Sequence, residues 1–205
     1  MADHRKRFEQ WRRKLPSQTN FLVDQVLETI VPRFEERGFV WYHDYAGGDP
    51  AEVAPYTIPL QKREGTAWPS AEIQFGRAKP CFTIYFAALP EVCKRLGVEA
   101  IPRERAIVVY APAYFMLCKG ESRNLDGQFG YRWFALSPRS RLRSDVAKAV
   151  SLLPVLFDRF DQGIPLDWIT HELGYVDDHV MLAGSWGVFE RLREARSDRR
   201  GSGAA

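Results

Sequence analysis

The sequence is poor in cysteine, in long apolar runs and in charge imbalance, and each shortage narrows what the chain can be. Its three cysteines, Cys81, Cys93 and Cys118, form no C-x-x-C pair, which argues against a structural zinc site. Cys81 and Cys118 lie in apolar surroundings and read as small buried residues, whereas Cys93 in EVCKRLG reads as the most exposed thiol. The longest charge-free apolar stretch, Ala106 to Cys118, is interrupted by Pro112 and falls short of the roughly 20 residues that cross a bilayer. MADHRKRFEQWRRK carries charge without an apolar core behind it, so no secretory signal is expected and a reducing cytoplasm is. Lys plus Arg number 29 against 26 Asp plus Glu, a formal charge of +3, too small to imply nucleic acid by itself. With 15 Gly and 13 Pro among 205 residues the chain is not fibrous, and 45% apolar content is too high for disorder. No G-x-x-x-x-G-K-S/T exists, and GQFG (127–130) is a turn, so neither a nucleotide nor any other cofactor is expected.

What the sequence does have is aromatic mass: 6 Trp, 8 Tyr and 13 Phe, enough to dominate a core. Residues 3–14 read as a short basic helix with Phe8, Trp11 and Leu15 at helical spacing. Ser17, Thr19 or Asn20 is placed to cap the helix that follows. That helix, 20–37, carries Leu22, Val23, Val26, Leu27, Ile30, Val31 and Phe34 on one face, should kink at Pro32 and should stop at Gly38.

The period then falls to two. Residues 39–45, 55–62 and 71–77 alternate as strands, with Ile73 and Phe75 inward, Glu72 and Gln74 outward, and Pro59 marking an edge or bulge. CFTIYFA (81–87) is apolar on both sides and reads as a central strand. A short helix is expected over 89–97, strands over 106–111 and 131–137, and either state over 113–118. Ser144 should cap a helix to residue 162, with a bend at Pro154, and further helices are expected in GIPLDWITHELG and over 188–196. So few helices separate the strands that the expected class is α+β, a mainly antiparallel sheet covered by long amphipathic helices on one face. The expected organisation is a basic arm at 1–19, one domain at 20–198 and a flexible tail at 199–205.

Five places could carry chemistry or binding. THELGYVDDHV (170–180) gathers His171, Glu172, Asp177, Asp178 and His179, groups that bind divalent metals or move protons. The histidines lack the one-turn spacing of H-E-x-x-H, and a polar helix end explains them equally. His43 and Asp44 in WYHDYAGGD share a strand and turn that would matter if they lined a cleft. Asp44 or Asp49 with Glu72 suggests a Mg²⁺-dependent nuclease, but Gln74 stands where a lysine is needed, and a solvent-facing strand edge accounts for Glu72 and Gln74. AGSWG (183–187) resembles a nucleophile elbow, yet no histidine follows Ser185. In the basic arm, Arg5, Lys6, Arg7, Arg12, Arg13 and Lys14 flank Phe8 and Trp11. Such interleaving suits phosphates and bases or a protein partner, and a helix docking its two aromatics on its own domain is the simplest reading.

Several segments in order, FEERGFVWY, YTIPLQK, FTIYFAALP, YRWFAL and DVAKAVSLLPVLFDRF, resemble a broad bacterial family catalogued as a domain of unknown function, over about residues 20–161. The resemblance implies a helix-covered antiparallel sheet in a bacterial cytoplasm, and transfers no activity or site residue. The sequence therefore leads to a non-enzymatic module that binds a macromolecule, most simply protein. A metal-dependent hydrolase or nuclease and a nucleic-acid binder are the alternatives.

Overall fold

The computed structural model describes residues 4–41, 53–77, 79–94, 100–119, 128–130, 139–162, 175–177 and 180–185. The architecture is α+β, with every described strand pair antiparallel. Helix α1 (His4–Arg12) leads into α2 (Ser17–Thr29) and α3 (Val31–Glu35), followed by β1 (Val40–Trp41), β2 (Thr57–Gln61), β3 (Trp68–Phe75) and β4 (Cys81–Leu89). Strands β5 (Val92–Lys94) and β6 (Ala100–Pro102) form a separate two-stranded ribbon. Next come β7 (Ala113–Leu117), β8 (Phe129–Gly130), α4 (Arg139–Gln162), β9 (Tyr175–Asp177) and β10 (Val180–Ser185). The main sheet runs β1-β2-β3-β4-β7-β10-β9, with β8 also on β4.

Local chemistry explains the helix boundaries. The expected single helix over 20–37 is broken at Ile30, because Pro32 lacks an N–H and re-nucleates a new helix with proline in its first turn. The capping expectation fails: α2 begins at Ser17 itself, the Pro16 carbonyl accepts the Asn20 N–H at 2.9 Å, Thr19 is buried, and Asn20 Oδ1 accepts Arg12 Nε at 2.9 Å. Gly38 does end α3, at φ +84°, with its N–H on Glu35 O (2.9 Å) and the Phe39 N–H on Phe34 O (3.0 Å). Helix α4 starts five residues before the expected Ser144, since Leu142 is fully buried and extends the stripe of Val146, Ala149, Leu153, Leu156 and Phe157. At 24 residues it is the one long helix described; α1, α2 and α3 have 9, 13 and 5.

Sheet register sorts the strand residues into two sets. Ile58, Leu60, Ala71, Ile73, Phe75, Phe82, Ile84, Phe86, Phe115 and Leu117 share one core with the apolar residues of the four described helices. Phe8 of α1 belongs to that core, its ring 5.5 Å from Trp11, 5.4 Å from Trp41 and 6.2 Å from Phe75. The basic arm's helix is thus built into the domain. At the β2 edge, Lys62 N–H bonds Pro69 O on β3, so the alternate position Pro59 turns its missing N–H away from β3. Beside it His4 Nε2 donates to the Thr57 carbonyl at 2.8 Å.

The opposite parity carries a second, smaller core. Ala87 and Leu89, with Trp68, Tyr85 and Tyr114 against them, pack on Cys93, Ala106, Val108, Tyr110 and Ala111. Three expectations change here. Residues 92–94 form a strand rather than part of a helix, 108–110 form a 3-10 turn rather than a strand, and Cys93 is fully buried rather than exposed. The expected strand 131–137 and helices over 163–174 and 188–196 lie outside the described residues.

Candidate functional site

A row of small residues makes a concavity at one end of the sheet. Most helix-facing rows are filled by large side chains, as where Phe86 pairs with Phe115 or Ile73 with Ile84. In the terminal row Pro69 pairs with Ala88, and Ala113 opens the next strand. The space left is a cleft of about 750 Å³, within the range of small-ligand and side-chain pockets.

Three aromatic rings, Phe39, Phe157 and Phe160, line it on the helical side. Phe39 lies 6.3 Å from Phe157 and 5.5 Å from Phe160, and Phe160 stands edge-on to Phe86 at 5.6 Å. The opposite wall is the β2–β3 hairpin, Lys62 to Ala67, with Pro90 and Pro112 beside it. Prolines fix φ and fewer rotatable groups line the wall, so the shape is largely pre-formed. Two ion pairs rim the cleft, Arg37–Asp161 at 3.4 Å and Lys62–Glu64 at 3.0 Å. Both acids are more than two-thirds exposed, at 68% and 71%, so each pair is worth only about 0.2–1 kcal/mol and is easily exchanged for a ligand's charge. Arg37 also lies over the Phe157 ring, 5.0 Å from its centroid. No histidine, cysteine or serine occurs among the described lining residues.

The second feature is Glu72 at the centre of β3. The alternation predicted it outward into solvent, but it is buried beneath the turn at 108–110. Its Oε1 accepts the Val108 N–H at 2.8 Å. Its cross-strand partners are Pro59 on β2 and Tyr85 on β4, and Tyr85 in turn pairs with Met116. Burial pushes the Glu72 carboxyl from its ordinary 4.5 up to about 7, with the Val108 N–H opposing. Burial also raises Tyr85 and Tyr114, whose rings stand 6.3 Å apart, and the nearby Glu72 charge adds to both shifts. Cys93 in the same layer is raised to about 12, first by burial and then by Glu104, with Arg103 opposing, a setting for an inert thiol.

Of the sequence candidates, His43, Asp44, Asp49, His171, Glu172, Asp178 and His179 lie outside the described residues. Asp177 ends β9, paired through its backbone with Val180. Among the described residues no group of three or more His, Cys, Asp or Glu is placed to hold a metal ion, and no helix is long and apolar enough to cross a membrane. In the basic arm much of the charge is engaged within the chain. Arg5 lies over Trp41 at 5.2 Å, Arg7 donates to Val53 O at 3.2 Å, and Arg12 pairs with Asp24. Trp11 packs on Phe75 and Tyr56 at 5.9 and 6.3 Å, while Lys6, Arg13 and Lys14 are exposed.

The cleft had no sequence signature, because its small residues come from three separate strands. Glu72 had one, in retrospect: the apolar stretch 106–113 needs a surface to cover. No family model, curated protein or solved structure matches the chain.

Proposed function

We propose that the protein is a binding module that receives a segment of a protein partner in the cleft, an apolar side chain seated on Phe39, Phe157 and Phe160. The observation that carries this reading is a concave, proline-walled space with an aromatic floor and a rim of readily exchanged ion pairs. That is the anatomy of a recognition pocket: apolar contact supplies affinity and the rim charges orient the ligand. An extended segment presents both a bulky side chain and a polar main chain, which match floor and rim together. The long α4 and the shorter α2 blanket one sheet face and serve as scaffold. Three free, buried cysteines suit the reducing cytoplasm of a bacterium. The arm residues Lys6, Arg13 and Lys14 remain available for nucleic acid, but the docked rings of Phe8 and Trp11 are withdrawn from base stacking.

Selection from a displayed random peptide library tests the reading. Enriched peptides are titrated against the wild type and against Ala88→Phe, which fills the cleft. Support is at least a tenfold loss of affinity in the filled variant with an unchanged melting temperature. Peptides that bind both proteins equally, or no enrichment, refute it.

A further inference from the structure

Glu72 is a buried carboxyl held beneath the second layer, residues 90–94 and 100–112, and that layer is connected to the cleft at three points. Pro90 enters it and Pro112 leaves it, and both line the cleft. Arg103, within the layer, donates from Nη1 to the Thr66 carbonyl at 2.9 Å, and Thr66 lies on the cleft's hairpin wall. We infer that Glu72 is a proton-controlled latch: protonated, it holds the second layer closed on the sheet, and ionised, it releases that layer and with it one wall of the cleft. The latch rests on the burial of Glu72 beneath that layer, whereas its use in regulating binding rests on the cleft reading proposed above.

Among the described groups around Glu72, burial raises its carboxyl and the Val108 N–H opposes. From β4 comes Tyr85 and from β7 Tyr114, neither of which supplies positive charge. β2 places Pro59 opposite it. The turn at 108–110 offers the Val108 N–H, and Tyr110 is its one titratable side chain. Of the layer's described charges, Arg103 lies over the Trp68 ring at 4.1 Å and is paired with Glu104 at 3.8 Å. Among the described residues the Val108 N–H, a neutral donor, meets the ionised carboxylate, while opening restores water. A carboxyl near 7 when closed and near 4.5 when open favours the open form as pH rises between those values. The open-to-closed ratio grows on the order of tenfold from pH 6 to pH 8.

Backbone amide exchange of the whole chain, read by mass spectrometry at pH 6 and pH 8 and corrected for intrinsic rates, tests the latch without any ligand. The expected result is that peptides spanning 100–111 exchange faster than those of α4. Their protection should fall roughly tenfold across that range in the wild type and stay constant in Glu72→Gln. Tyr114→Phe, which keeps Glu72, should retain the fall. Constant protection in the wild type overturns the latch even if Glu72→Gln does not fold. So does an equal fall in Glu72→Gln, or exchange of 100–111 at the same rate as α4. A confirmed latch with no peptide enrichment would refute the cleft's function alone; constant protection with enrichment would refute the latch alone.

Discussion

Replacing Phe8 with alanine should unfold the N-terminal helix and cost much of the domain's stability. The ring is fully buried and meets Trp11, Trp41 and Phe75. A phenylalanine buries roughly 200 Å², which at about 25 cal/mol per Å² amounts to about 5 kcal/mol. That is an upper value, because the unfolded chain already hides part of the ring. The expected loss is about 3–5 kcal/mol, the range for buried Phe→Ala changes. The consequence spreads, since a nine-residue helix is not stable by itself in water. Without Phe8, His4 leaves the Thr57 carbonyl that it caps at the sheet edge. Urea denaturation of Phe8→Ala beside Lys6→Ala, Arg13→Ala and Lys14→Ala measures this. The three surface changes should each fall within about 0.5 kcal/mol of wild type. A Phe8→Ala loss below about 1 kcal/mol would refute the argument and return the arm to a peripheral, partner-binding segment.

Three further outcomes are expected. For Glu72, a folded-state value near 7 against 4.5 unfolded means the native state holds more protons between those pH values. Stability therefore falls as pH rises through that window, by up to about 3 kcal/mol, and denaturation of Glu72→Gln should lack that slope; identical pH profiles would contradict it. Gly130 sits at φ +107°, and a Cβ there would lie 2.3 Å from the Pro80 carbonyl oxygen, so Gly130→Ala should lower stability by about 1–3 kcal/mol in urea denaturation. All three cysteines are buried and free, so a thiol reagent should label none in the native protein and three after denaturation, with rapid native labelling of Cys93 the contrary result.

Much of the frame was legible in the residues. The stripe of α2, the stop at Gly38 and the parity that puts Ile73 and Phe75 in the core follow from period and glycine chemistry alone. Two kinds of information were not local. Alternation at Glu72 separates two faces but does not say whether the second meets water or another layer; Val108, thirty-six residues away, decides it. The segment 89–97 has helical spacing, yet Val92–Lys94 pairs with Ala100–Pro102, and tertiary pairing overrides the weak propensity of a short stretch. Ser144 has a capping side chain, but Leu142 continues the buried stripe and the helix begins before it. The cleft depends on Pro69, Ala88 and Ala113 meeting at one sheet end, which only strand register brings about.

The most direct measurement is where a selected peptide lands. In backbone amide spectra of the labelled protein, the account predicts that saturating peptide shifts Thr66, Ala67, Ala88, Phe157 and Phe160 around the cleft and leaves the arm residues Lys6, Arg13 and Lys14 unmoved. Shifts concentrated on the arm, with the cleft residues unchanged, would contradict it.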